Sequence, residues 1–176
     1  LQASGRVTIH DNIFVDTTQS ALNLRDHDLP LKLAYVYNNT VYQATTGINF
    51  GNSAPDGDAV AGNLVFAGTP IKGPIVDERD DLTGPVANAA GMVTAPGTTF
   101  GQMDFYPLPG KCQGSSIDMA KFKADTAYDA DFNGTSKGAF TFRGAYAGEG
   151  KNPGWTLGPE NKPTNQGAGG SGASGS

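Results

Sequence analysis

Three stretches of this chain, 7–15, 34–42 and 58–66, align residue for residue, and that repeat constrains the fold more than any other feature. The alignment sets Asn12, Asn39 and Asn63 in register, 27 and 24 residues apart. Around them Ile9, Val36 and Val60 line up, as do Phe14, Val41 and Val65, and then Val15, Tyr42 and Phe66. A further short segment follows each unit: 21–24, then 47–50, then more weakly 70–73. Each unit reads as strand, two-residue turn, strand, small loop, third strand and variable loop. Three short strands per ~25 residues, with β-branched and aromatic residues alternating, is the pattern of one coil of a β solenoid.

The turn pairs Asp11-Asn12, Asn38-Asn39 and Gly62-Asn63 have a physical reason. A sharp bend between strands needs a left-handed backbone, which Asn, Asp and Gly tolerate best. Stacked asparagine side chains can also hydrogen-bond to one another from strand to strand. An antiparallel sandwich also uses such turns, but it does not call for turns and strands to recur together in register.

Composition agrees with a turn-rich β protein. Glycine numbers 25 and proline 11 in 176 residues, with only 16% charged residues. The net charge of −5 and the lack of Lys/Arg clusters argue against nucleic acid, which needs concentrated positive charge. No stretch approaches the ~18 apolar residues of a membrane span. The chain opens on Leu1 without a charged-then-apolar leader, so a mature or truncated form is expected. The single cysteine, Cys112, reads as a small buried residue rather than a nucleophile, since His10 and His27 are both remote in sequence.

The pattern resembles the right-handed parallel β-helix superfamily that includes pectate-lyase-like and chondroitinase-B-like proteins. The second half adds to the likeness. Residues 100–108 resemble the segment that follows the last coils in secreted bacterial members, and Ser115-Ser116-Ile117-Asp118 resembles their Ser-x-x-Ile/Leu-Asp element, one residue tighter. A closing run at 129–134, with Arg143-Gly144-Ala145-Tyr146 after it, is similar to theirs except that Lys137 replaces an early arginine. The resemblance covers about 6–148 and implies an all-β right-handed parallel β-helix of about three regular coils with an irregular C-terminal cap.

The expected organisation is a C-terminal part of a β-helix domain over 5–148, with coils at 5–75 and an irregular coil and cap at 76–148 closing the open end. A Pro-rich and then Gly/Ser-rich linker is expected over 149–176. A coil that starts near residue 5 leads to the expectation that N-terminal coils are carried on a missing segment or another chain. A linker ending leads likewise to the expectation of a further domain or surface anchor.

In the resembling lyases the substrate groove follows the outer face of the third strand of each coil. Here Leu22 and Leu24 are read as inward, which turns Asn23 and Arg25 outward. The next coils contribute Asn49 and Lys72, so Asn23, Asn49 and Lys72 are expected to form one exposed column. Asn23 and Asn49 are the candidate substrate-binding residues. A uronate lyase needs a cation to neutralise the carboxylate and a base to take the adjacent proton, and Arg25, Lys72 and His27 are the residue types that could serve. Asp26 and Asp28 are the candidate calcium ligands, as hard oxygen donors. The plainer reading of 26–28 is a solvated turn, and the acidic run 77–81 lacks the spacing of a calcium loop. Tyr35, Tyr37 and Trp155 are types that stack on sugar rings, but Tyr37 reads as an ordinary strand residue and Trp155 as part of the tail; His10 reads as a surface histidine.

The expected function is a secreted or cell-surface protein that binds or depolymerises polysaccharide in a lyase-like manner. The alternative is a non-catalytic stalk, structural or adhesin-type module. The two differ in whether Arg25, Lys72 and an acid converge in one groove.

Overall fold

A computed structural model describes residues 1–162; the Gly/Ser-rich ending lies outside the described residues. The chain is all-β, dominated by two parallel sheets. The first sheet takes its strands in the order β2 (Gly5–His10), β5 (Leu31–Tyr37), β7 (Asp58–Ala61) and β9 (Glu78–Arg79). The second runs β1 (Gln2–Ala3), β4 (Ser20–Leu24), β6 (Thr40–Phe50), β8 (Leu64–Lys72) and β10 (Leu82–Gly84), with β3 (Ile13–Val15) also paired to β6. A separate antiparallel pair joins β11 (Val93–Ala95) to β12 (Asp104–Pro107). Among the described residues no helix is long and apolar enough to cross a membrane.

The register follows the repeat. Ile9 lies opposite Val36 and Val36 opposite Val60. Phe14, Val41 and Val65 are likewise partners, as are Leu22, Ile48 and Ile71. These columns meet between the two sheets in a core of Ile9, Val36, Val60, Leu22, Ile48 and Phe50. Each fully buried side chain of this size contributes roughly 1.5–3 kcal/mol relative to exposure.

The turns form a second set of columns. Asp11, Asn38 and Gly62 all adopt the left-handed backbone, with φ of 55°, 53° and 65°. A Cβ on Gly62 would stand 2.8 Å from Asn38 Oδ1, so this turn needs glycine for space as well as conformation. The next residue in each turn builds a ladder. Asn12 Nδ2 donates to Asn39 Oδ1 at 3.2 Å, and Asn39 Nδ2 donates to Asn63 Oδ1 at 3.1 Å. The backbone N–H of each donates to the same oxygen, at 3.1 and 2.9 Å.

The parallel pairing continues past residue 75, into the stretch expected to be irregular. Val60 and Ala61 pair with Glu78 and Arg79, and Leu64 and Val65 pair with Leu82 and Thr83. Asp80 takes the left-handed turn position at φ 58°, and Asp81 takes the ladder position. The repeat is hard to read at this fourth level because Asp81 replaces the asparagine and its strands are only two and three residues long.

The C-terminal segment packs along the side of the stack. It follows the turn column. Lys137 Nζ lies 2.8 Å from Asp11 Oδ1, Gly144 N donates to Gly62 O at 2.8 Å, and Arg143 Nη2 donates to Asp80 Oδ1 at 3.0 Å. The reason is apolar: Tyr42 and Phe66 belong to an outward column that Met103, Phe105 and Tyr146 cover. Tyr37, Ala59 and Ala61 are covered by Ile117, Met119 and Phe122. Of the expected linker over 149–176, residues 150–157 make contacts with the rest of the chain. Gly150 N donates to Pro107 O, Gly101 N to Leu157 O, and Trp155 rests against Phe132.

Candidate functional site

The column expected on the outer face of the second sheet is present. Strand pairing sets Asn23 opposite Asn49 and Asn49 opposite Lys72, and it adds Gln2 opposite Asn23 at the other end. Their neighbours Leu22, Leu24, Ile48 and Phe50 are fully buried, so alternation leaves the amides half-exposed and the lysine exposed. Asn49 Nδ2 donates to Asn23 Oδ1 at 2.7 Å, which fixes both amide orientations. Adjacent side chains therefore follow the strand spacing of ~4.8 Å.

Arg25 joins this face through Gln2, whose Oε1 lies 3.5 Å from Arg25 Nη2. Gly51 sits beside it; a Cβ there would come within 2.8 Å of Arg25 Cβ, so the glycine leaves the arginine stem its space. Lys72 makes no hydrogen bond or ion pair among the described residues. The column thus carries cations near its two ends and amides between them.

Beyond Gln2 and Asn23 the face opens into a polar groove of about 190 Å³, lined also by Thr17, Thr18, Gln19 and Ser20. Sequence reasoning missed this groove, since a two-residue strand and a polar loop carry no periodicity. Its rim is held by Gln43, a buried amide. Gln43 Nε2 donates to Thr17 O, Gln19 O and Thr45 Oγ1 at 2.6–2.7 Å, and its Oε1 accepts from Thr17 N at 2.8 Å. A fully bonded buried amide rigidifies what it touches, so Gln43 sets the loop's position.

The 26–28 loop is not brought into the column as a reactive group. Asp26 Oδ1 accepts from Leu31 N at 2.7 Å, and its own N–H donates to Asn52 Oδ1. His27 Nδ1 lies 3.2 Å from Asp28 Oδ1, and Asp28 is 95% exposed. Among the described residues no three His, Cys, Asp or Glu side chains are grouped to hold a metal ion.

His10 is not the free surface histidine that alternation suggested. Its ring stacks on Tyr37 with centroids 4.8 Å apart and planes 1° from parallel, and its Nδ1 lies 2.8 Å from Asp11 Oδ2. Tyr37 is fully buried, stacked on Phe122 and donating to Asp125 Oδ2 at 3.1 Å. Burial, with the Asp125 charge behind it, pushes the Tyr37 phenol far up and keeps it neutral. Burial likewise raises the Asp11 carboxyl despite the opposing pull of His10 and Lys137. This cluster fastens the C-terminal segment to the first two levels. Cys112 is buried, and burial pushes its thiol up to about 12, so it is no nucleophile at neutral pH.

No protein-family model, curated protein or solved structure matches this chain. A row of half-exposed amides flanked by cations can hydrogen-bond and charge-pair with an extended polyhydroxylated anion.

Proposed function

We propose that this chain is part of a right-handed parallel β-helix whose outer face binds an acidic polysaccharide. Support for the β-helix comes from topology: each repeat adds its strands to the two parallel sheets in order, with the core between them. Crossovers between parallel strands are almost always right-handed, which sets the hand of the proposed coil. The resemblance to pectate-lyase-like and chondroitinase-B-like proteins is in keeping with this reading, and a location outside the cell or on its surface is proposed with it.

The observation that carries the binding reading is the Asn23–Asn49 hydrogen bond in register with Lys72. It presents donors and acceptors at one strand spacing along a straight line, which suits a linear polymer better than a compact ligand. Arg25 and Lys72 supply the positive charge with which an acidic polymer would pair, and lyase-like depolymerisation of that polymer is part of the same proposal.

The test is binding of acidic and neutral polysaccharides to the wild type and to an Arg25→Ala, Lys72→Ala double variant. Acidic polymer should bind the wild type, weaken as salt rises, and weaken in the variant. Equal binding by both proteins would refute this face as the site. If no glycan binds, the alternative of a structural stalk or adhesin-type module stands, supported by the hydrogen-bonded ladder inside the stack.

A further inference from the structure

Lys137 and Asp11 meet at close range with almost no exposure to solvent. Their side chains are 2% and 9% exposed, and Lys137 Nζ lies 2.8 Å from Asp11 Oδ1. The contact is not a hydrogen bond. Among the described residues Oδ1 is buried and accepts none, because Nζ meets it outside hydrogen-bonding angles. The lysine nitrogen donates instead to Gly144 O, at 3.3 Å. The other carboxylate oxygen, Oδ2, lies 2.8 Å from His10 Nδ1. A lysine nitrogen, a carboxyl group and an imidazole are thus held together in one buried place.

The surroundings keep water away. His10 stacks on Tyr37 and Tyr37 on Phe122, with ring centroids 4.8 and 4.2 Å apart, and both Tyr37 and Phe122 are fully buried. An ion pair taken out of water is costly, and burial raises the Asp11 carboxyl towards its protonated form. Passing one proton from ammonium to carboxylate gives an amine and an acid, which are the forms that condense. In bulk water that condensation is opposed by hydration of both groups and by the solvent itself. A dry site that holds nitrogen beside carboxyl removes both obstacles. Lys121 and Asp77 provide the contrast: the same groups pair there, but Lys121 is half-exposed and both ions stay hydrated.

We propose that Lys137 and Asp11 condense into an intramolecular isopeptide bond, with His10 carrying a proton to the departing oxygen. The new bond joins Lys137 Nζ to Asp11 Cγ, and the Cγ–Oδ2 bond breaks. Two of the ammonium protons leave with Oδ2 as one water, and Oδ1 stays as the amide oxygen. The two charges cancel, and no oxidant or co-reactant is consumed. The product is a neutral amide where a buried ion pair stood. It ties the C-terminal segment covalently to the turn between β2 and β3.

The test is the mass of the full chain, denatured after folding, followed by tryptic mapping. The expected mass is lower than that of the sequence by one water. Trypsin does not cut after an acylated lysine, so cleavage at Lys137 should be missing, and a branched peptide should join residues 7–25 to residues 124–143. Cleavage after Lys121 should be normal. Lys137→Arg keeps the positive charge and should return the full sequence mass. His10→Phe, which keeps a ring against Tyr37 but has no nitrogen, should leave part of the protein unlinked; complete linking there would overturn the part given to His10. A wild-type chain at its full sequence mass would overturn the proposal. So would loss of water without the branched peptide, which is what an aspartyl succinimide elsewhere in the chain would give. Both of these readings are made on the wild type and stand whether or not a variant folds.

Discussion

Asp81 Oδ1 accepts two hydrogen bonds from Asn63, one from the backbone N–H at 2.7 Å and one from Nδ2 at 2.8 Å. Asparagines hold this position in the three preceding levels, so a carboxylate ends a ladder of carboxamides. Its other oxygen, Oδ2, is buried without a hydrogen-bond partner. An ionised oxygen in that setting is costly.

The first prediction concerns pH. Burial pushes the Asp81 carboxyl up to about 7, Glu78 and Asp80 add to the rise, and the Asn63 bonds oppose it. An unfolded aspartate titrates near ~3.9, so between these values the folded state holds the extra proton. The stability this contributes is fully present below the unfolded value and is lost as pH rises towards 7. Asp11, raised by burial, adds a slope of the same sign. The melting temperature should therefore fall between pH 5 and pH 8. In Asp81→Asn, which completes the ladder with an amide, the fall should be smaller. Identical slopes in the two proteins would show that Asp81 does not titrate as described.

A second prediction tests the register. Val36 is fully buried with Ile9 and Val60 as its strand partners. Val36→Asp sets an unpaired charge between them, at a cost of several kcal/mol that would unfold a domain of ordinary stability. Circular dichroism should show loss of the β signal at room temperature. A melt like the wild type's would refute this packing.

The third prediction concerns the fastening of the C-terminal segment. Lys137 is 2% exposed and its partner Asp11 is 9% exposed. Removing one member of a buried pair strands the other, typically at 3–5 kcal/mol, whereas removing both costs less. Lys137→Met should lower the denaturant midpoint strongly, and adding Asp11→Asn should recover part of the loss. A double variant no better than the single one would show that the pair is not coupled.

Repetition explains how much could be read before the structure. Alternation of Leu22, Asn23 and Leu24, repeated at Ile48, Asn49 and Phe50, tells which side chains face inward, because a strand has a period of two. Asp, Asn and Gly at 11–12, 38–39 and 62–63 mark where the backbone turns left-handed, because few residues tolerate that conformation. Those two local rules suffice to align the strands and to place Asn23, Asn49 and Lys72 in one column.

What tertiary structure alone decided lies where nothing repeats. Gln2 reaches the column through a two-residue strand too short to show a pattern. Asp81 continues the ladder with a residue that the repeat does not contain, so the fourth level read as a solvated acidic run. Lys137 reaches Asp11 and Arg143 reaches Asp80 across gaps of many residues, and the fastening cluster of His10, Tyr37 and Asp125 is assembled in the same way. From its sequence, then, the chain determines the alternation and the turns, since each depends on a residue and its immediate neighbours. Where the C-terminal segment packs depends on which apolar and charged groups the stacked strands leave uncovered, and those exist as a surface only once the stack has formed.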